Sequence, residues 1–139
     1  MDKPLLLKGD MFIDARGTLR FVNDFDFKHV KRFYQVENHA RGYIRAWHGH
    51  KKDQKYVYVA SGSILIGAAH LETEELQAFI LSAEKPSVLW IPANYANGFM
   101  TLQEDTRVIF FSTLTIQETK HDEIRFPYDK WNIWHIDYF

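Results

Sequence analysis

His48 and His50 stand two residues apart in Arg45-Ala-Trp-His48-Gly-His50-Lys51, with Gly62 fourteen residues after His48. On an extended segment, residues i and i+2 share a face, so both imidazoles point the same way. Such a pair can supply two ligands to a divalent ion. It can also accept and donate protons in a pocket. Around it lie three cations, Arg45, Lys51 and Lys55. Arg45 offers a planar fork that matches phosphate oxygens, and the lysines offer point charges. The cluster suits an anionic ligand, and it holds a nearby imidazole neutral, hence able to act as a base near pH 7. The plain alternative is two strand histidines without a role and an arginine that faces solvent. Arg45 and His48 are three apart, so a flat strand would aim them at opposite faces. Both reach one pocket only if the strand bulges or twists between them.

The elements that must position these residues read as short strands. Turn signals recur at Asp14-Ala-Arg-Gly17, Asn38 to Gly42, Ser61-Gly62, Glu84-Lys-Pro86, Pro92-Ala-Asn94, Asn97-Gly98 and Gln103 to Thr106. Between them, β-branched and aromatic runs predict strands at Arg32 to Val36, Tyr43 to Trp47, Lys55 to Ala60, Ser63 to Ala69, Leu76 to Leu81, Ser87 to Ile91 and Arg107 to Thr113. Two stretches are helix candidates, Phe25 to Lys31 and Thr115 to Glu123. The pattern is that of an all-β sandwich or barrel. The strands beginning at Lys55 and Ser63 are apolar on both faces, so each has a second face to cover. The aromatic tail, Tyr128 to Phe139, is expected to pack on the barrel, within one subunit or between two.

Composition narrows the function classes. A chain of 139 residues predicts one domain, spanning 1–139, with a real core. Aromatic residues make up 16% and the net charge is −1, so no basic field exists for non-specific nucleic-acid binding. No cysteine is present, which removes disulfides, thiolate nucleophiles and cysteine zinc sites, and is consistent with a reducing cytoplasm. No apolar stretch approaches the roughly 20 residues of a membrane span, and the N-terminal apolar run is too short for a signal peptide.

Two sets of motifs resemble known families. Asp14-Ala-Arg-Gly17-Thr-Leu, Val30-Lys-Arg-Phe-Tyr34, His48-x-His50-Lys51, Gln54 and Gly62-Ser63 resemble the nucleotide-sugar 3,4-ketoisomerases of the cupin superfamily. Glu37-Asn38-His39, Gly42-Tyr43-Ile-Arg45-Ala-Trp-His48, Lys55, and Trp90-Ile-Pro92 through Asn97-Gly98-Phe99 resemble the sister dTDP-4-dehydrorhamnose 3,5-epimerases. The resemblance implies an all-β cupin jelly-roll barrel, a homodimer, and action on a dTDP-4-keto-6-deoxy sugar in polysaccharide precursor synthesis. It implies His48, His50 and Lys55 as catalytic residues. It implies Arg45, Lys51, Asn97, Tyr43 and His39 as substrate contacts.

The chain also departs from both patterns. Asn97 stands where the epimerases have His. The epimerase tyrosine acid is missing from Leu114-Thr-Ile-Gln-Glu, leaving Tyr34, Tyr43 and Tyr128 as substitutes. The aspartate that orients the epimerase histidine comes from a C-terminal extension, and this chain ends at about that point. A metal-binding cupin places Glu and a later His where this chain has Lys55 and Asn97, so neither metal nor other cofactor is expected. The expected function is a metal-independent epimerase or ketoisomerase, and the alternative is a sugar-binding cupin without activity.

Overall fold

The β-branched and aromatic runs become strands in the computed structural model, which describes residues 2–135. In chain order the elements are β1 (Leu5–Lys8), β2 (Asp10–Asp14), β3 (Gly17–Phe21), β4 (Arg32–Glu37), β5 (Ile44–His50), β6 (Lys55–Ser61), β7 (Ser63–His70), β8 (Leu76–Ser82), β9 (Ser87–Ile91), β10 (Tyr95–Thr101), β11 (Arg107–Ser112), α1 (Ile116–Asp122) and β12 (Glu123–Arg125). One sheet runs β1-β9-β6-β11-β4 and the other β12-β5-β10-β7-β8, while β2 and β3 form a separate hairpin. From β4 onward the chain changes sheet at almost every connection, always pairing antiparallel, as in the expected jelly roll.

Period-two alternation builds the core between the sheets. On β6, Val57 and Val59 point inward. They meet Ile64, Ile66 and Ala68 of β7, Leu89 and Ile91 of β9, Phe99 of β10, and Val108 and Phe110 of β11. The second apolar face of β7 is covered from within the chain. Trp47, Ala69, Ala96 and Met100 form a further cluster under Trp131 and Trp134. Trp131 meets Trp47 edge-on with centroids 5.3 Å apart. The indole N–H groups of Trp47 and Trp134 both donate to the Tyr128 carbonyl, at 3.0 and 2.8 Å. The tail through residue 135 thus seals the outer face of the second sheet, and residues 136–139 lie outside the described residues.

Two expectations need correction. Asn97-Gly98 is not a turn. It lies in the middle of β10, all of which is buried between β5 and β7. The glycine serves close packing there, because a Cβ at Gly98 would collide with the Ala46 side chain. Phe25 to Lys31 is not helical either. Phe25 and Phe27 are two apart, and both pack on Phe111 of the outer face of the first sheet. The other helix forms where expected. Thr115 caps α1 through a reciprocal capping box with Glu118. Among the described residues no helix is long and apolar enough to cross a membrane.

Candidate functional site

The inner faces of the two sheets diverge at one end and enclose a cavity of about 560 Å³. The first sheet contributes Arg32, Tyr34 and Val36 from β4, Lys55 from β6 and Phe110 from β11. The second contributes Arg45, His48 and His50 from β5, Asn97 and Phe99 from β10, and Glu123 and Arg125 from β12. Helix α1 closes one side with Ile116, Thr119 and Lys120.

Strand β5 meets the condition that its sequence sets. Opposite β10, Asn97 pairs with His48 and Phe99 with Arg45, so two steps on β10 face three on β5. This bulge turns Arg45 and His48 toward the same cavity. Arg45 sits exposed at the mouth, where its Nε–H donates to Asn38 Oδ1 at 2.7 Å.

His48 lies 2.8 Å, Nδ1 to Oε1, from Glu123. Burial alone would raise the Glu123 carboxyl. The hydrogen bond with His48 and the charge of Arg125 outweigh burial and hold it below the usual carboxylate value. His48 thus has a carboxylate partner from within the chain. It comes 75 residues after His48, from the strand that follows α1 and pairs with β5.

His50 is 4% exposed. Burial pushes its pKa down, and the Lys55 ammonium adds to this against the opposing pull of Asp53, Asp122 and Glu123. It is neutral near pH 7. Its Nδ1 has no hydrogen-bond partner among the described residues, and the nearest carboxylate oxygen, on Asp122, is 3.7 Å away. That carboxylate is occupied by the backbone N–H groups of Lys51, Lys52 and Asp53.

Lys55 is buried. Its Nζ lies 3.0 Å from Asp53 Oδ2 and 5.1 Å from the centroid of the Tyr34 ring. Tyr34 in turn stacks on Phe110 at 5.2 Å. Of the three tyrosines left as substitutes for the epimerase acid, only Tyr34 lines the cavity. Tyr43 and Tyr128 are more than half exposed.

Arg45, His48, His50, Lys55 and Asn97 are brought together, and Lys51, Tyr43 and His39 are not. Lys51 lies in the β5–β6 turn with its side chain exposed, His39 in the exposed turn before β5, and Tyr43 just ahead of that strand. Sequence reasoning missed Arg32, Lys120 and Arg125, which join Arg45 as cations around the cavity. Arg32 stands over the Tyr34 ring at 4.9 Å. The donor set does not fit a cupin metal. Lys55 brings a cation into the cavity, Asn97 is a poor ligand, and among the described residues no three His, Asp or Glu groups gather as metal ligands do.

Fold and cavity together define a cupin-type barrel with a histidine–carboxylate pair and a ring of cations. A family model described as dTDP-4-dehydrorhamnose 3,5-epimerase matches residues 2–137, and the chain belongs to this family of sugar-nucleotide isomerases. The Bacillus subtilis (strain 168) spore coat polysaccharide biosynthesis protein SpsL is 27% identical over 94 residues. That match covers 63% of this chain and 62% of SpsL, less than two thirds of its length. The crystal structure of dTDP-4-dehydrorhamnose 3,5-epimerase from Sulfolobus tokodaii superposes with a TM-score of 0.77 at 26% identity, covering 94% of this chain and 81% of that one. The sugar 3,4-ketoisomerase QdtA from Thermoanaerobacterium thermosaccharolyticum, in complex with TDP, shares the fold with a TM-score of 0.71 at 23% identity, covering 91% and 90%.

Proposed function

We propose that the protein is a metal-independent epimerase acting on a dTDP-linked 4-keto-6-deoxyhexose. The observation that carries this reading is an imidazole and a phenol on opposite walls of the cavity. His48, paired with Glu123, belongs to the second sheet, and Tyr34 belongs to the first. A 4-keto group acidifies the neighbouring C–H bonds. With Nδ1 committed to Glu123, Nε2 of His48 is the nitrogen free to take that proton, and the carboxylate then stabilises the imidazolium. The Lys55 ammonium offsets charge on the enolate oxygen. Return of a proton from the Tyr34 hydroxyl, on the other side of the sugar ring, inverts the carbon. Arg45, Arg32, Lys120 and Arg125 suit the diphosphate.

One observation favours a second reading, 3,4-ketoisomerisation. Neutral His50 shares a face with His48, and proton movement at two adjacent carbons can use both imidazoles. Incubation with dTDP-4-keto-6-deoxyglucose in D2O, with and without chelator, separates the readings by NMR. Epimerisation predicts solvent deuterium at C3 or at C3 and C5 with the carbonyl still at C4, unaffected by chelation. A carbonyl moved to C3 supports ketoisomerisation. Binding without any exchange supports a sugar-binding cupin.

The same reading includes a homodimer in the cytoplasm. Support comes from the outer face of the first sheet and its flank, where Leu5, Phe27 and Phe33 are 52%, 62% and 69% exposed. Sedimentation at micromolar concentration should give twice the 16.5 kDa chain mass, and a monomer would count against the dimer.

A further inference from the structure

We propose that Asp53 is a positioning residue for this reaction, fixing the Lys55 ammonium in the cavity and tying helix α1 to the same point. The inference rests on the proposed reading, in which Lys55 faces the enolate. Asp53 lies in the β5–β6 turn, and its side chain is 0% exposed. Its Oδ2 accepts from Lys55 Nζ at 3.0 Å and from Thr119 Oγ1 at 3.1 Å. Its Oδ1 accepts from the Thr113 backbone N–H at 3.1 Å and from Thr113 Oγ1 at 3.3 Å. Ser112 Oγ lies 2.8 Å from both carboxylate oxygens and, with one proton, donates to one of them at a time. One carboxylate thus joins β6, the end of β11 and α1.

Two features separate this arrangement from ordinary core satisfaction. Both oxygens of Asp53 already accept from hydroxyl or backbone donors, so its hydrogen bonds are satisfied without the lysine, and what Lys55 adds is charge. A lysine side chain can usually reach solvent, and burying its charge costs free energy unless it is paired. Lys55 is nevertheless kept inside, at the inward position that the alternation of β6 gives to Val57 and Val59. Apolar residues at both Asp53 and Lys55 would fill the space at lower cost, and the retained ammonium lines the cavity, where a bound ligand can use it. The link to α1 has its own consequence. Lys120 follows Thr119 directly, and Glu123, four residues on, holds His48. Displacing Asp53 therefore disturbs the cation near the enolate and the segment that carries the histidine's partner. Burial pushes the Asp53 carboxyl up, but the Lys55 charge and hydrogen bond outweigh it and keep Asp53 ionised.

Asp53→Asn in the full chain keeps the shape and removes the charge. Turnover is expected to fall about 10- to 100-fold, as for a lost electrostatic contact to a developing oxyanion, while KM and dTDP affinity change less than about twofold, because Asn can still accept from Thr119 and Asp53 touches none of the cations assigned to the diphosphate. On a Lys55→Met background the same substitution should cost nothing further in turnover, since residues acting as a unit are non-additive. Nitrogen-15 NMR of the lysine ammonium groups gives a reading that needs no turnover. The wild type should show a slowly exchanging Lys55 signal, and Asp53→Asn should lose it. Unchanged turnover, or an unchanged signal in Asp53→Asn, overturns the proposal. A wild type that turns over no keto sugar but shows the signal and its loss retains Asp53 as the anchor of Lys55 and discards the proposed reaction. If Asp53→Asn does not fold, Thr119→Val removes one donor only. A smaller fall in turnover with the Lys55 signal retained is then expected, and full activity in that variant overturns the tie to α1.

Discussion

Replacing His48 with Asn is expected to lower turnover by ~10²- to 10⁴-fold, the usual effect of losing a general base. Affinity for dTDP should stay nearly unchanged. The imidazole lines the cavity and has a carboxylate partner at 2.8 Å, which leaves its other nitrogen free for a proton. Asn cannot take the proton at any accessible pH, so the loss should appear in kcat and not in KM. Glu123→Gln tests the partner. The amide still accepts or donates a hydrogen bond, but it no longer stabilises the imidazolium formed during reaction. A loss of turnover smaller than that of His48→Asn is expected across the pH–rate profile. Glu123 itself is ionised across the working range, since its pKa is held down, so it should add no limb of its own near neutrality. Steady-state kinetics with Kd values for dTDP check both variants. Full activity in His48→Asn would move the base to another residue, and His50 would be the first to test.

The parts of this site that were legible in the sequence are those fixed by local pattern. Two histidines at i and i+2 share a face in any strand, and the alternation of β6 put Lys55 on the inner face with Val57 and Val59. The requirement for a bulge between Arg45 and His48 followed from counting residues, and the register of β5 against β10 meets it. The helix candidate at Thr115 to Glu123 became α1, whose start is held by a local capping box between Thr115 and Glu118. What was not legible depends on long-range contact. Glu123 reaches His48 only because β12 pairs with β5, and no spacing in the chain encodes that. Arg32, Lys120 and Arg125 look like ordinary surface charges until the sheet edge and the helix bring them to one opening. Asn97-Gly98 carried a strong turn signal, and tertiary packing overrode it because the glycine was needed where β10 crosses Ala46. That β7 has a second face to cover is visible in its apolar run, but that Trp131 and Trp134 cover it depends on how the tail folds back.

Replacing Lys55 with Met is expected to do two separable kinds of damage. In catalysis, the enolate loses its nearest buried cation, and turnover should fall by ~10²- to 10³-fold, the scale of removing one donor to a developing oxyanion. In stability, the substitution leaves Asp53 ionised, buried and without its counter-ion, which costs about 3–5 kcal/mol. The two effects differ in their dependence on pH. In the wild type the Asp53 pKa is depressed, so its contribution is present above the ordinary carboxylate range and is lost as pH falls through the folded value. Without Lys55 the burial effect dominates, and the folded pKa rises above the unfolded one. Protonation then favours the folded state, and the variant regains stability as pH falls through that raised value. His50 acts in the same direction. Its depressed pKa makes the wild type lose stability as pH falls below the ordinary histidine value, and the Lys55 charge is one cause of that depression. With the lysine gone, the loss shrinks. Urea unfolding of both proteins at pH 8 and pH 5 should therefore show a deficit for Lys55→Met that is large at pH 8 and clearly smaller at pH 5. A deficit that does not change with pH would mean that Asp53 does not depend on Lys55 for its charge, and unchanged turnover in the folded variant would remove Lys55 from the chemistry.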